Sequence, residues 1–432
     1  MKLDLNIVHV KDIRFADETA INNGVLSLNP RELRELLEQD KRFSSVDVQL
    51  ARPGEACRIL RVHDVIEPRA KAKGSVGEDF PGVLGRQLTA GRGTTWVLHG
   101  AAVVTSDCGR ILQPGYDPNG EIIDMCGPAA DMGIYGKTVN IVLLPSPADG
   151  VTASDYKTAL KIAGAKSAVY LAGKAEGSAP DEVRTYALPL PASGVDATGM
   201  PRIVYIFQIF SMQYESAGRE PVLYGGGVEG LVPTILHPNE VLDGAVLNPN
   251  RSPLLETYVI QNHPIIEGLY KRHGKELIFV GVIITTGHNN PAEYERTANF
   301  TAKLAKWVLG ADGAVITKAG GGAPEVAMSQ MALHCERLEV KTTIAMMHMT
   351  SDARDAASDS NVMFNARELN AIVSMGDIWK TPLDLPPMGK ILGTPDHADG
   401  FPPVDGRHMR TLRWIKGVLS PMGISKMTAA RY

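Results

Sequence analysis

Apolar positions follow two different patterns along this chain, one in each half. In the first half, short alternating segments at 3–10 and 46–50 predict half-buried strands, and apolar runs at 95–105 and 140–144 each predict a further strand. Two helices stand out there, one beginning at Pro30 with Asn29 as its N-cap, and one over 156–171. The first half is therefore predicted to be a strand-rich α+β domain.

In the second half, apolar strand-like runs alternate with helical segments. Strands are predicted at 203–210 and near 232, 279, 314, 343 and 371, and the clearest helices are predicted over 297–309 and 325–338, with a short one near 409–418. Such alternation is typical of βαβ units in a doubly wound, mostly parallel α/β domain. Residues 188–201 are rich in Pro and Gly and are the predicted linker. The predicted domains are 1–195 and 202–432.

Composition narrows the class of protein. The 432 residues are 44% hydrophobic and 21% charged, with a net charge of −4, which is typical of a soluble globular protein. There is no basic field that would hold nucleic acid or an anionic membrane, so neither is an expected partner. The apolar run at 277–284 is too short to span a bilayer, and the N-terminus lacks a signal-peptide pattern, so a cytoplasmic location is predicted.

Three histidines follow apolar runs that are predicted to be strands. They are His237, His288 and His348. Because ligands bind at the carboxyl ends of strands in open α/β sheets, these imidazoles are expected at one edge of the sheet. Together they would suit Zn²⁺, although no HExxH or HxH motif is present.

His288 lies in a loop that is expected to lead into a helix. Asn290 can cap that helix, Pro291 suits its first position, and Glu293 completes a capping-box pattern. The positive end of the helix would lower the pKa of His288 and favour the neutral imidazole, the form that binds metal or acts as a base. Asn289 beside it is a candidate substrate-binding residue. The alternative is a polar loop histidine without a role.

A run of three glycines also joins a predicted strand to a predicted helix. Gly320, Gly321 and Gly322 are the predicted substrate-binding residues of this loop, because their backbone N–H groups at a helix N-terminus would suit a substrate carboxylate or carbonyl. The run is neither a Walker loop nor a GxGxxG motif, and the alternative is a tight turn that needs positive φ.

Several segments together resemble one protein family. They are Ala-Arg-Pro-Gly-Glu at 51–55, Asp-Val-Ile-Glu-Pro-Arg at 64–69, Glu-Val-Leu-Asp-Gly-Ala at 240–245 and Phe-Val-Gly-Val-Ile at 279–283. The chain resembles the proprotein subunit of component B of glycine, sarcosine and betaine reductases, with the D-proline reductase proprotein as a relative. The resemblance runs to about residue 320 and continues more loosely to the end.

The resemblance implies a pyruvoyl enzyme, but one residue departs from it. In the family the proprotein cleaves itself before a cysteine, which becomes a pyruvoyl group that captures the substrate amine, and a selenoprotein partner completes reductive C–N cleavage. Here Asn250 matches the residue before the cut and Arg251 occupies the cysteine position, with no cysteine between Cys126 and Cys335. We therefore expect no pyruvoyl group and an uncut chain, leaving Ser252 as the alternative precursor.

The resulting prediction is a subunit of a component-B-like complex that cleaves a C–N bond of a small amine or amide. It would assemble with a second subunit resembling the selenoprotein partner, and a divalent metal such as Zn²⁺ would replace the pyruvoyl electrophile, with hydrolysis as an option beside reduction. The predicted catalytic residues are His288, His348 and Arg251, and the predicted metal ligands are His237, His288 and His348. A pyruvoyl-type reductase subunit and a non-catalytic scaffold subunit are the alternatives.

Overall fold

The chain has mixed α/β structure, as its sequence predicts. The computed structural model describes residues 1–108, 120–189, 199–211, 220–249, 255–318, 323–348, 369, 371–377, 382–395, 404–424 and 430–431. Strands and helices both contribute throughout these ranges. Among them, no helix is long and apolar enough to cross a bilayer.

The first half consists mainly of strands. These are β1 (Lys2–His9), β2 (Asp12–Phe15), β3 (Ala20–Asn22), β4 (Val25–Leu28), β5 (Phe43–Ala51), β6 (Cys57–Ile59), β7 (Val62–Ile66), β8 (Arg69–Lys71), β9 (Gly93–His99), β10 (Ala101–Ser106), β11 (Ile123–Asp124), β12 (Val139–Pro147) and β13 (Glu182–Ala187). The helices are α1 (Pro30–Leu37), α2 (Gly127–Met132) and α3 (Ala153–Ala172), with 3-10 turns at Tyr135–Lys137 and Gly173–Ala175.

Helix capping fixes where the helices of this half begin. The Asn29 side chain accepts a hydrogen bond from the Arg31 N–H at 2.9 Å, which confirms the predicted cap of α1. Thr152 accepts from the Asp155 N–H at 3.2 Å, so α3 begins three residues before the predicted helix. This long helix packs against β7, β8 and β10.

The run predicted as one strand at 95–105 is two strands in different sheets. β9 belongs to the sheet β13-β1-β9-β8, and β10 belongs to the sheet β5-β12-β10-β7. The chain turns at Gly100, whose φ is +93° and whose missing Cβ would lie 2.6 Å from the Val10 carbonyl oxygen. Only glycine fits there, and this is why the apolar run does not continue as one strand.

The second half is organised around a larger sheet. Its strands are β14 (Arg202–Ser211), β15 (Thr234–Leu236), β16 (Ile278–Gly287), β17 (Gly313–Lys318), β18 (Lys341–His348), β19 (Ala371–Asp377), β20 (Pro382–Leu385), β21 (Lys390–Leu392), β22 (His408–Thr411) and β23 (Ala430–Arg431). The helices are α4 (Pro238–Leu242), α5 (Thr257–Gln261), α6 (Pro264–Arg272), α7 (Pro291–Lys303) and α8 (Ala323–Arg337), with a π-helical turn at Leu304–Val308 and a 3-10 turn at Leu412–Trp414.

The central sheet has the order β15-β16-β14-β17-β18-β19-β23. The five strands from β16 to β19 in this order are parallel, whereas β15 and β23 are antiparallel edge strands. Numbered along the chain, the parallel strands have the order 2-1-3-4-5. In such sheets the ligand crevice lies at the carboxyl ends of the first and third strands, which here are β14 and β17.

The two faces of this sheet have different neighbours. On one face, Val204, Ile206 and Ile283 pack against the alanine-rich sides of α7 and α8. A second apolar cluster joins Phe207 and Ile209 of β14 to Leu5 and Ile7 of β1 and to Val97 of β9 and so connects the two halves.

The tail of the chain returns to the first half. β21 pairs with β6, and Ile415 bridges to Ile122. The helix predicted near 409–418 is wrong, because β22 pairs with β20 there and is followed by the 3-10 turn. The domain boundary stays a prediction, since 190–198 lie outside the described residues.

One buried ion pair holds the tail in place. Arg58 and Asp124 have fully buried side chains and form two hydrogen bonds, of 2.6 and 2.8 Å. The guanidinium also donates to the carbonyls of Val404 and Pro386 in the tail. Burial raises the pKa of Asp124, and the hydrogen bonds and charge of Arg58 oppose this shift without cancelling it.

We predict that Arg58→Ala destabilises the chain by about 3–5 kcal/mol, because it leaves the Asp124 carboxylate buried without its partner. Urea unfolding followed by circular dichroism measures the loss. Arg407→Ala is the control, because Arg407 pairs with Asp384 at the exposed surface and its removal should leave the midpoint unchanged. Equal losses in the two variants would contradict the assignment.

Candidate functional site

The structure separates His237 from the other two predicted histidines. β15 runs antiparallel to β16, with Leu236 opposite Val282, so His237 lies beside the amino-terminal half of β16. His288 follows the carboxyl end of β16, six residues further along, or about 20 Å away. The expectation of three imidazoles at one edge is therefore wrong for His237, because its strand points the other way.

His237 instead caps a helix. Its Nδ1 accepts a hydrogen bond from the Asn239 N–H at 3.1 Å, and its own N–H donates to Glu240 Oε2 at 2.6 Å. This is a capping box at the start of α4. Burial lowers the pKa of His237 to about 4, so the imidazole is neutral and serves as a hydrogen-bond acceptor.

His288 and His348 lie at the same edge but not on neighbouring strands. His348 ends β18, and both β16 and β18 run parallel to the strands between them. β14 and β17 separate them, which makes three strand spacings, or about 14 Å. Among the described residues, no three His, Cys, Asp or Glu side chains gather as a group that could hold a metal ion. The proposed metal ligation by these two histidines stays a prediction.

His288 has a partner at each ring nitrogen. Its Nδ1 lies 3.2 Å from Glu293 Oε2, and its Nε2 lies 3.2 Å from Thr286 Oγ1. Asn290 caps α7 by accepting from the Ala292 N–H at 3.0 Å, as predicted, and the Glu293 side chain reaches the imidazole. In this arrangement the carboxylate favours a proton on Nδ1, which leaves Nε2 as the basic atom.

Burial gives His288 the predicted neutral form. It lowers the pKa of His288, while the negative charge of Glu293 opposes the shift and the nearby Arg296 adds to it. The lowered pKa agrees with the prediction from the sequence, although that prediction was based on the helix dipole. The physical cause is the loss of solvent around a side chain that is only 7% exposed.

An open cleft of about 310 Å³ lies beside this histidine. Thr297 and Phe300 form one wall with His288, and the segment from Glu229 to Pro233 forms the other. Arg296 also lines the cleft and is exposed. The cleft thus combines a neutral imidazole with one guanidinium, the two carboxylates of Glu229 and Glu293, and apolar surface, which suits acid–base work on a small polar molecule.

The predicted substrate-binding residues are only partly described. Asn289 is exposed beside His288, and its role in substrate binding stays a prediction. The three loop glycines, Gly320, Gly321 and Gly322, lie outside the described residues, so the carboxylate site predicted for them also stays a prediction. The elements around them are as predicted, because β17 ends at Lys318 and α8 begins at Ala323.

Two predicted catalytic residues also fall outside what the structure describes. Arg251 belongs to the range 250–254, which lies outside the described residues, and so does the side chain of His348. The backbone of His348 ends β18, which fixes its place in the sheet. Their catalytic roles therefore stay predictions.

A buried ion pair joins the two elements that flank the glycine run. Lys318 Nζ donates to Glu325 Oε1 at 2.5 Å, and the two side chains are 2% and 1% exposed. Burial lowers the pKa of Lys318, an effect that Glu325 opposes. The pair connects the end of β17 with the first turn of α8 at the predicted ligand edge.

A second site, missed by pattern reasoning, surrounds the segment that the resemblance identifies as the cleavage junction. Asp64 on β7 accepts hydrogen bonds from the Thr257 N–H at 2.9 Å, the Thr257 hydroxyl at 2.6 Å and Asn248 Nδ2 at 3.3 Å. Asn248 precedes residues 250–254, and Thr257 follows them. One buried carboxylate therefore fixes both flanks of the junction.

Other charged groups surround Asp64 in the interior. Burial raises the pKa of Asp64 to about 6, although the hydrogen bonds from Thr257 oppose the shift. Lys161 interacts electrostatically with Asp64 and with the neighbouring His63, and burial lowers the pKa of both Lys161 and His63. Lys161 donates to the Pro221 carbonyl oxygen at 3.1 Å and pairs with Glu220 at 3.3 Å.

Glu67 extends the contact to the helix after the junction. It accepts from Arg69, from Asn262 Nδ2 at 3.0 Å and from His99 Nδ1 at 3.0 Å. Burial would raise its pKa, but the charge of Arg69 and the contact with His99 lower it to about 2. Asp64, Glu67 and Arg69 all belong to the segment 64–69 that carried the family resemblance, which was the available signal for this site.

Comparisons with known proteins agree with that resemblance. The family model of glycine/sarcosine/betaine reductase component B subunits matches residues 1–407. The chain is 37% identical over 447 residues to glycine reductase complex component B subunits alpha and beta of Acetoanaerobium sticklandii, and 33% identical over 443 residues to sarcosine reductase complex component B subunit alpha of Peptoclostridium acidaminophilum. Both alignments cover all of each chain. No solved structure matches the chain.

We predict that Glu293→Gln lowers the pKa of His288 further, because the carboxylate that stabilises the imidazolium is lost. Histidine ring resonances in an NMR pH titration measure the shift. Glu295→Gln is the matched control, since Glu295 contacts His334 and should leave His288 unchanged. A shift of the same size in both variants would contradict the specific role of Glu293.

Asp64→Asn should change how stability depends on pH. The folded-state pKa of Asp64 is raised from 3.8 to about 6, so the folded chain holds this proton more tightly, and the free energy of unfolding falls as pH rises through that window. The variant has no titrating group at this position, so its free energy of unfolding does not fall in this way. Relative to wild type, it should rise by up to about 3 kcal/mol between about pH 4 and pH 7.5, as measured by urea unfolding.

Glu67→Gln provides the opposite control. The folded-state pKa of Glu67 is lowered from 4.5 to about 2, so its contribution is present above the unfolded value and is lost as pH falls. This variant should therefore lose stability relative to wild type as pH rises from about 2 to about 5, and should change little above that. Parallel pH profiles for the two variants would refute both assignments.

Proposed function

The chain belongs to the family of glycine/sarcosine/betaine reductase component B subunits, and on that premise we propose that it is one subunit of a complex that cleaves a C–N bond of a small amine or amide without a pyruvoyl group. The observation that carries the proposal is the full-length similarity to this family; the resemblance adds that Arg251 occupies the position of the precursor cysteine. The relatives are named as components of reductase complexes, which supports a multi-subunit assembly.

The residues present do not fit a pyruvoyl group. Formation of that group needs a cysteine or serine at the cut, and Arg251 can supply neither a thiol nor a hydroxyl; Ser252, the alternative precursor, is one residue beyond that position and is followed by Pro253. The two cysteines nearest in sequence serve elsewhere, since Cys126 precedes α2 beside Met388 and Cys335 is buried in the core of α8. The hydrogen bonds of Asp64 would hold the two flanks of the junction together whether or not the chain is cut.

The cleft beside His288 supports an acid–base role. Cleavage of a C–N bond requires a proton on the departing nitrogen, whether electrons or water complete the reaction. With Glu293 favouring the proton on Nδ1, Nε2 of His288 can accept a proton and return it to a leaving amine. Arg296 would hold a carboxylate or a developing negative charge in the same cleft. A divalent metal at the strand edge remains part of the proposal, but His288 and His348 are separated by three strand spacings, so either histidine would hold the ion with other groups rather than both together.

We predict that His288→Ala reduces turnover by at least about 100-fold while the complex still assembles, because the proton shuttle is lost. The complex is purified through a tag on this chain, and amine or ammonia release from glycine, sarcosine and betaine is measured with and without a dithiol reductant. His334→Ala, which removes a histidine on α8, should retain activity. Full activity of His288→Ala would favour the scaffold alternative.

The same preparation tests the remaining parts of the proposal. Intact mass should show one chain of 46.5 kDa; two fragments would instead support a pyruvoyl-type subunit. A requirement for the reductant indicates reduction, and reductant-independent release indicates hydrolysis. Elemental analysis well below one metal per complex would reject the metal.

A further inference from the structure

One helical segment of the described chain concentrates exposed apolar side chains. Trp307 is 66% exposed, Val308 58% and Phe300 40%, and all three lie on α7 or on the π-helical turn that follows it. Large aromatic side chains at this level of exposure are unusual on a solvent-facing helix, and a contiguous set marks an interaction surface.

The two exposed aromatic rings share one helix face with two cations. Arg296, Phe300, Lys303 and Trp307 are spaced by four, three and four residues, the spacing of a single helical stripe. Lys303 Nζ lies 5.5 Å from the centre of the Trp307 ring, so these side chains are neighbours. We call these four residues the α7 face. The opposite side of the helix is already used, because its alanines pack against the central sheet.

The α7 face continues into the cleft of His288. Arg296 and Phe300 line that cleft, and Val232, 59% exposed, lies on its other wall. A protein that covered Phe300 and Trp307 would therefore also cover the mouth of the cleft. Exclusion of water from a site that transfers protons strengthens its electrostatic interactions.

Charge identifies the kind of partner. The α7 face alternates cations with aromatic rings, and Lys306 adds a further cation. The nearest acids on the same helix are engaged elsewhere, Glu293 with His288 and Glu295 with His334. Glu293 lies near Arg296 and offsets its charge, so the positive charge of the face is concentrated around Trp307, where Lys303 and Lys306 lie.

A second copy of the chain fits this face poorly. In a two-fold dimer each face meets its own copy, which would bring Arg296 and Lys303 against the same cations. A complementary partner would present carboxylates around an apolar socket. Tryptophan beside a cation in such a socket is the usual composition of an interface hot spot.

We propose that the α7 face is the docking surface for the partner subunit of the complex. Trp307 would bind in an apolar pocket of the partner that is surrounded by carboxylates, and docking would cover the cleft of His288. The identity of the partner rests on the proposed function, whereas the surface itself rests on the exposure, spacing and charge of these residues.

The test measures docking without turnover. The protein that co-purifies in a fixed ratio with the tagged chain is identified by mass spectrometry, produced alone and titrated against the purified chain by biolayer interferometry. We expect Trp307→Ala to weaken binding at least about 10-fold. Lys303→Glu should also weaken binding and make it less sensitive to salt, because an attractive charge pair is lost.

The control variant is Val183→Ala, which truncates another apolar side chain, 55% exposed on β13. It should bind like wild type, and circular dichroism should show all variants folded. Wild-type affinity in both Trp307→Ala and Lys303→Glu, or the absence of any protein that co-purifies in a fixed ratio, would overturn the proposal.

Three further outcomes would also overturn it. One is Trp307-dependent self-association of the chain alone in sedimentation velocity. The others are Trp307-dependent binding to phosphatidylglycerol vesicles or to a single-stranded oligonucleotide, with unchanged affinity for the protein partner. Loss of activity in His288→Ala with docking intact bears on catalysis only, so failure of the interface and failure of the proposed function are distinguishable.

Discussion

The rest of the structure depends on the buried carboxylates of the segment 64–69. Asp64 and Glu67 lie in the first half of the sequence, yet their hydrogen-bond partners are Asn248, Thr257 and Asn262, nearly two hundred positions away. A carboxylate without solvent needs donors, and these partners satisfy that need at the cost of fixing the chain on both sides of residues 250–254. The same contacts therefore unite the two halves of the molecule and define the junction. In Asp64 burial prevails and raises the pKa, whereas in Glu67 the charge of Arg69 prevails and lowers it.

Strand direction is the second constraint, and it decides which residues can act together. His237 and His288 each follow an apolar strand, but β15 is antiparallel to β16, so the two imidazoles lie at opposite ends of the pair. The Nδ1 atom of His237 then satisfies a backbone N–H at a helix start. His288 shares an edge with the end of β17, where the sheet order places the switch point. Its contacts with Thr286 and Glu293 are local in sequence, and both depend on the strand-to-helix turn that Asn290 caps.

The proposed catalytic cleft and the proposed docking surface share one helix. α7 packs its alanines against the sheet, holds Glu293 at the imidazole near its start, and exposes Phe300 and Trp307 along its outer side. A rigid helix that serves both purposes would link the arrival of a partner to closure of the cleft. In such an arrangement the chemistry would be completed between subunits, which agrees with relatives that are named as parts of reductase complexes.

The sequence by itself determined the elements whose signals are local. Capping residues and apolar periodicity predicted α1, α7 and α8 and the parallel strands of the second half, and the motif segments predicted the family, because side chains within a few positions decide helix starts and strand faces. Tertiary structure decided what depends on distant partners. Gly100 breaks an apolar run because the Val10 carbonyl group lies against it, and residues 408–411 form a strand because β20 is available to pair. Likewise, His237 lies away from the predicted site because the direction of its strand is decided by pairing within the sheet. Asp64 lies at the junction because its hydrogen-bond donors come from the other half of the chain. Periodicity encodes which face is buried, but it carries no information about which neighbour buries it.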